Sequence, residues 1–339
     1  MPIAKYLADA LTRLGHHSLL IENATGLGLF QHIWLSMNGS PSQPRLINMH
    51  ASLLEEWTYA RMAELKPEIC IVLAQAPVSP AFPERLRKLG IVSAYWFVEN
   101  WRHMTYWRDI APAYDGFFHV QPGEFERELD LAGCKLHAYV QTGCDPSVHR
   151  PVDLSDDERA TFACDLSFAG AGYRNRAQLF QGLADYEFKI WGVGWDERVL
   201  ARHVVSGDQF FSTETYMKIV SGSKINLNLH SSANHEGVDP TCDAVNPRVF
   251  EIAAAGGFQL CDPCGNLASL FDLENELPGY RDLGELRVKI DHYLAHPEER
   301  NLIARRARKR ALAEHTYEHR AAQMLSFISS LKRPPGAST

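Results

Sequence analysis

The stretch Asn246-Pro247-Arg248-Val249-Phe250-Glu251-Ile252-Ala253-Ala254-Ala255-Gly256-Gly257-Phe258-Gln259-Leu260-Cys261-Asp262 writes out a helix start, a short helix, a glycine stop and a buried strand. Asn246 is a suitable N-cap, its side-chain oxygen able to accept from an early helical N–H. Pro247 at the first helical position gives up only an N–H that would be orphaned anyway. The glycine pair ends the helix, and Phe258 to Cys261 reads as an interior strand. A helix that opens this way turns free N–H groups and a positive dipole end toward what precedes it, which suits a phosphate. Arg248 is placed to pair with a diphosphate, and Glu251 to accept hydrogen bonds from ribose hydroxyls. The plainer reading, an ordinary helix–strand unit with a surface Arg and Glu, stands beside it.

Working outward, the chain alternates apolar runs with amphipathic segments. His17 to Glu22, Glu68 to Leu73, Ile91 to Val98, Gly116 to Val120 and Leu136 to Gln141 read as strands. Helical segments lie between them, at Ala4 to Leu14, Ala51 to Leu65, Pro80 to Leu89, Met104 to Ala111 and Glu124 to Leu131. After a polar, proline-bearing hinge at Cys144 to Asp157 the alternation restarts with Leu166 to Ala169, Phe188 to Trp191, Ile225 to Leu229 and Phe258 to Cys261. Such alternation implies mostly parallel sheets covered by helices. Two α/β domains with a cleft between them is the economical arrangement, and 339 residues suffice for both.

Bulk properties narrow the function. Apolar content of 45% and charged content of 22% fit a globular protein. A net charge of −7 argues against a nucleic-acid partner. No apolar run approaches the ~20 residues that cross a bilayer, and Met1 to Tyr6 lacks a signal-peptide layout. Seven cysteines, an odd number without framework spacing, favour reduced thiols in a cytoplasm. Cys261-Asp262-Pro263-Cys264 matches C-x-x-C, but with no second such pair the signal for redox or zinc chemistry is weak. A basic run, Arg305-Arg306-Ala307-Arg308-Lys309-Arg310, suits either a solvated helix face or a peripheral contact with anionic lipid.

Ligands of open parallel sheets bind beyond the carboxyl ends of the strands. In the first half that rule selects Glu99 and His119. In the second it selects the turn Gly170-Ala171-Gly172-Tyr173-Arg174-Asn175-Arg176, the turn Gly192 to Trp195, and the loop from His230 to Asn246. Small residues at Gly170 and Gly172 would let backbone N–H groups approach an anion, with Arg174 or Arg176 supplying charge. Trp195 is a candidate to stack on a ring, core packing being the alternative. Neither a P-loop nor H-E-x-x-H nor G-x-S-x-G occurs, which removes P-loop, zinc-protease and common serine-hydrolase chemistry. Asp-x-Asp is also absent, so a nucleotide-sugar enzyme here would stabilise its leaving diphosphate with a helix dipole and arginines, without a metal.

These residues together resemble the spore-maturation CgeB-like glycosyltransferases, group-1 glycosyltransferases with the two-Rossmann GT-B fold. The matching pieces are Tyr95 to Asn100, Gly143-Cys144-Asp145-Pro146 leading to Pro151, and Cys164 to Gly170. Further on they are Ser223 to Asn228, Asn246 to Asp262, and Pro297 to Arg300 with His315-Thr316-Tyr317 and Arg320. The resemblance implies two Rossmann-like domains facing each other across a cleft. An acceptor domain would span 1–150, its first strand either missing or supplied by a segment around Phe30 to Ser36. A nucleotide-sugar domain would span 151–314, a helix over 315–331 would cross back to the first domain, and 332–339 would be a disordered tail. It also implies transfer of a sugar from a nucleotide-diphosphate donor to an unidentified acceptor. Related retaining enzymes use two acids eight positions apart. Glu251 matches the later one, on the ribose, while Asp243 stands where the pattern has Glu. An inverting reaction would instead need a base, with Glu99 and His119 the strand-end candidates. A sugar-nucleotide epimerase or hydrolase, or a non-catalytic nucleotide-sugar-binding protein, would use the same scaffold.

Overall fold

The computed structural model describes residues 2–22, 36–37, 39–195, 198–206, 211–232 and 234–331. It divides into two compact units, one of residues 7–141 and 321–339, the other of residues 1–6 and 142–320. Each is an α/β unit built on its own parallel sheet.

In the unit of residues 7–141 the sheet runs β1 (Ile69–Leu73), β2 (Val92–Phe97), β3 (Gly116–His119) and β4 (His137–Tyr139), in that spatial order. All pairs are parallel. The two inner strands are almost wholly buried, as a sheet covered on both faces requires. Aromatic residues fill the core: Phe125 lies edge-on to Trp107 and stacks on Trp101, and each indole N–H of Trp96 and Trp107 finds a backbone carbonyl, of Val140 and Trp101 respectively. From Ala321 on, the last helix belongs here too, with Phe327 edge-on to Phe118 and Gln323 donating to the Tyr139 carbonyl.

The strand expected at His17 to Glu22 is not formed. The segment is extended but joins no ladder, Leu19 is 54% exposed, and Ile21 alone packs against the core. The substitute segment around Phe30 to Ser36 lies outside the described residues, apart from Ser36. The helix expected from Ala51 starts earlier and spans Gln43–Leu65.

The second unit holds β5 (Cys164–Ala169), β6 (Phe188–Trp191), β7 (Val204–Ser206), β8 (Ser223–Asn228) and β9 (Gln259–Cys261). Their spatial order is β7-β6-β5-β8-β9 and every pair is parallel. The first strand lies in the middle and the order reverses between β5 and β8, the switch point of a doubly wound sheet where ligands bind. β7, three residues at the edge, is too short to show a period in sequence. Local signals are explicit elsewhere. Ser155 and Glu158 form a reciprocal capping box at the helix Asp156–Phe162. Gly256, with φ of 73°, takes the left-handed turn between the helix Arg248–Ala254 and β9.

The units divide between Gln141 and Thr142, ahead of the expected 150. Cys144 is the reason: it forms a parallel bridge with Thr316, its N–H donating to the His315 carbonyl and its carbonyl accepting from Tyr317, which ties this segment to the second unit. Among the described residues no helix is long and apolar enough to cross a membrane. In the basic run, Arg310 pairs with Glu276 and Glu314, and Arg308 donates to the Ala254 carbonyl, while Arg305, Arg306 and Lys309 stay exposed.

Candidate functional site

The strand ends at the β5/β8 switch point gather most of the residues singled out in sequence. After β5, the turn at Gly170 and Gly172 interlocks with the turn after β6. Gly170 N–H donates to the Trp191 carbonyl and Gly172 N–H to that of Val193, while the Trp195 indole donates to the Gly170 carbonyl. A side chain on Gly172 would run into the Gly194 carbonyl, and one on Gly192, at φ of 128°, into that of Gly170. The two glycine N–H groups therefore hold a neighbouring turn and are not free for an anion, contrary to the sequence expectation. Trp195 is corrected too: it is buried, stacked on Phe180 and edge-on to Phe168, in the core and not against a ligand ring.

The arginines separate by burial. Arg174 is exposed and pairs with Glu236 at 3.0 Å. Arg176 is buried, donating through Nε to the Leu229 carbonyl and through Nη1 to that of Ala171, between the rings of Phe168 and Tyr173. Burial, and then the neighbouring Arg248 charge, pushes its pKa down to about 9, which still leaves a cation at neutral pH. Arg248 shares the Phe168 ring, and a Cβ on Gly170 would lie 2.6 Å from its Nη2, so the glycine leaves room for this guanidinium. Neither Arg176 nor Arg248 forms an ion pair among the described residues.

Glu251 sits one turn after Arg248 and is 2% exposed. Its Oε2 has no hydrogen-bond partner among the described residues. Burial pushes its pKa up to about 7, against the opposing pull of Arg248. His149 Nε2 lies 3.7 Å from Oε1, but burial drives this imidazole down to about 4, so at neutral pH the contact is not an ion pair. The buried Tyr216 hydroxyl, which has no hydrogen-bond partner among the described residues, feels the Glu251 charge. Tyr6 packs edge-on to His149 and bonds Thr213 through its hydroxyl at 2.9 Å.

The helix itself begins one residue later than the sequence suggests, at Arg248, with Pro247 before it. Asn246 does not cap it. Its Nδ2 donates to Asn228 at 2.9 Å, its backbone N–H donates to His230 Nε2 at 3.1 Å, and its Oδ1 is buried with no hydrogen-bond partner among the described residues. His230 in turn donates through Nδ1 to Asp262 at 2.7 Å. Asp243 is half-buried, its backbone packed against Gly265. Flanking it, Cys242 and Cys264 form a disulfide, which corrects the expectation that all seven cysteines are reduced. The pairing was hidden because Cys264 reads first as the end of C-x-x-C, while its partner lies on the loop after the adjacent strand.

Glu99 and His119 stand in the other unit, at the ends of β2 and β3. Glu99 is half-buried, accepts from Gln75 at 2.5 Å, and is raised in pKa by burial. His119 is fully buried; its Nδ1–H donates to the Gln121 carbonyl and its Nε2 has no hydrogen-bond partner among the described residues. Burial pushes it down to about 3, a neutral imidazole. Residues that sequence reasoning missed are His149 and Tyr216 beside Glu251, and the pairing of His230 with Asp262. His230 and Asp262 follow β8 and β9 directly, so the strand-end rule already pointed at them.

Comparison with known proteins bears on the fold and on the sequence. Residues 174–326 match the family described as glycosyl transferase-like. Spore protein CgeB of Bacillus subtilis (strain 168) is 24% identical over 183 residues, which cover 50% of this chain and 56% of that protein. The chain thus spans about half the length of this curated relative. Among solved structures, a glycosyltransferase from Rickettsia africae ESF-5 superposes with a TM-score of 0.62 at 14% identity, covering 98% of this chain and 95% of that one. Anabaena HepE in complex with UDP-glucose superposes with a TM-score of 0.59 at 11% identity, covering 82% of each chain. The fold is GT-B, and over about half of its length the sequence is similar to that of spore protein CgeB.

Proposed function

We propose that this chain is a glycosyltransferase that moves a sugar from a nucleotide-diphosphate sugar to an acceptor, with no metal on the diphosphate. One observation carries the reading. Arg248 and Glu251 are oppositely charged neighbours on one helix, yet among the described residues Arg248 forms no ion pair and Glu251 Oε2 has no hydrogen-bond partner. A diphosphate would satisfy the first, with Arg176 behind it, and ribose hydroxyls the second. The position, at the switch point of a doubly wound sheet, is where a nucleotide belongs. HepE, a neighbour in fold, holds UDP-glucose.

In this mechanism Arg248 and Arg176 stabilise the charge that builds on the departing diphosphate, in a site largely shut off from water. Glu251 fixes the ribose and so the position of the anomeric carbon. Its near-complete burial means that Tyr6 or its neighbours must shift as the donor enters. If the reaction inverts, Glu99 is the better placed base, since His119 has no exposed surface. Asp243 is kept as the sugar contact of a retaining reaction. The proposed setting is the cytoplasm, where nucleotide sugars would meet the acceptor.

The test uses UDP-, GDP- and dTDP-sugars with and without candidate acceptors. Nucleotide release that depends on the acceptor supports transfer. Acceptor-independent turnover would reassign the chain to a hydrolase or epimerase, and binding without turnover to a binding protein. Within that assay, Arg248→Ala is expected to weaken donor binding by about 10–100-fold, the loss of one charge-assisted hydrogen bond. Arg174→Ala, at an exposed pair, is expected to change it by less than about threefold. Equal effects of the two would remove Arg248 from the diphosphate.

A further inference from the structure

The disulfide and the histidine beside it form a second constellation, distinct from the groups assigned to the nucleotide sugar. Cys242 Sγ, Cys264 Sγ and a ring nitrogen of His230 lie within 4.8 Å of one another. His230 and Cys242 lie on the loop after β8 and Cys264 lies just past β9, the neighbouring strand, with the disulfide joining the two loops. Two sulfurs and an imidazole at that spacing are the ligand set of zinc, which takes thiolate at ~2.3 Å and imidazole at ~2.0 Å.

The histidine is already oriented for such a role. Its Nδ1–H donates to Asp262, whose same oxygen also accepts the His230 backbone N–H at 2.9 Å. That fixes the tautomer in which Nε2 carries the lone pair, the carboxylate–histidine arrangement that supports metal-bound imidazoles. Asp262 has no exposed surface, and its second oxygen has no hydrogen-bond partner among the described residues. A buried carboxylate left this way favours a nearby cation.

We propose that Cys242, Cys264 and His230 form a redox-gated zinc site, closed as a disulfide and open to the ion once reduced. In the opening step an external dithiol transfers two electrons and two protons to the Cys242–Cys264 bond. The S–S bond breaks, two thiols form, and the dithiol closes its own disulfide. Zn²⁺ then binds both sulfurs as thiolates, and their two protons leave to solvent. The His230 lone pair now accepts the Asn246 N–H, and it cannot do so while it holds the ion. Filling the site therefore frees the backbone immediately ahead of Arg248.

Cobalt(II) is the probe, because thiolate coordination gives it a charge-transfer band. The full chain is reduced with dithiothreitol, desalted without oxygen and titrated with cobalt, then with zinc. The expected result is one cobalt per chain with a thiolate band that zinc bleaches, and no band from the disulfide form. Cys242→Ser should abolish the band, with Cys264→Ser as a second variant should the first fail to fold. Asp262→Asn should keep the band and weaken affinity by about 10–100-fold. The proposal is overturned if the reduced chain shows no thiolate band. It is equally overturned if Cys242→Ser and Cys264→Ser titrate like the unaltered chain, or if only Cys261→Ser removes the band.

Discussion

Glu251→Gln is expected to bind its nucleotide donor at least about 100-fold more weakly than the unaltered chain while melting at a higher temperature. Glutamine offers one neutral acceptor oxygen and an N–H donor where the carboxylate offers two charged acceptors, so one hydroxyl hydrogen bond is lost and the other loses its charge, together about 3 kcal/mol. The stability gain follows from linkage. Burial raises the folded-state pKa of Glu251 from 4.5 to about 7, so the folded chain holds that proton more tightly than the unfolded one. Below about pH 4.5 both states are protonated and the group costs nothing. As the pH rises toward 7 the unfolded chain ionises first and stability falls. Above that the deficit is constant, on the order of 3 kcal/mol before relaxation. Glutamine removes the buried charge, so the gain should appear at pH 8 and vanish near pH 4. Donor affinity of the unaltered chain should rise with pH through the same window, because the ionised carboxylate is the better acceptor. Thermal melts at both pH values, with calorimetric titration of the nucleotide, check each arm. A variant that binds normally removes the ribose from Glu251, and one that melts lower at pH 8 removes the uncompensated charge.

The second large effect is structural. Gly172→Ala is expected to cost about 3 kcal/mol, lowering the melting temperature by roughly 6–12 °C. Its methyl group would meet the Gly194 carbonyl and the Trp195 ring, and neither can yield. Gly194 is backbone with φ of 79°, and Trp195 is wedged between Phe168 and Phe180. Separating the turns would also stretch the Gly172 to Val193 hydrogen bond. Gly279→Ala is the control, since its methyl would lie at an ordinary 3.4 Å from the Cys261 carbonyl oxygen. If both variants melt alike, the turns are not interlocked as described.

How much of this was legible in the residues depends on the range of the interaction. The parallel sheets, the switch-point loops and the Arg248–Glu251 helix follow from local periodicity and from the rule that ligands lie beyond strand ends. Arg174 and Arg176 looked equivalent because their sequence contexts are. Only the packing of Phe168 and the Leu229 carbonyl buries one and leaves the other in solvent. His17 to Glu22 reads as a strand because an apolar run looks the same whether or not a neighbouring strand exists to pair with it. Asn246 was misread for a related reason: a capping oxygen and a network amide have the same one-letter code. The choice was made by Asn228 and His230, each more than a dozen residues away. The Cys242–Cys264 pairing needed the adjacency of β8 and β9, which no local window contains.

The interlocked turns also bear on time. A glycine turn at a nucleotide site is often a place where backbone amides meet solvent freely. Here the amides of Gly170 and Gly172 are bonded to carbonyls of the next strand's turn, and the Trp195 indole fastens a third carbonyl from behind. Their deuterium uptake should keep pace with the core strands β5 and β6, hours behind exposed loops of the same unit. In the proposed reaction this wall of the candidate site stands still, and whatever opens to admit a donor opens elsewhere.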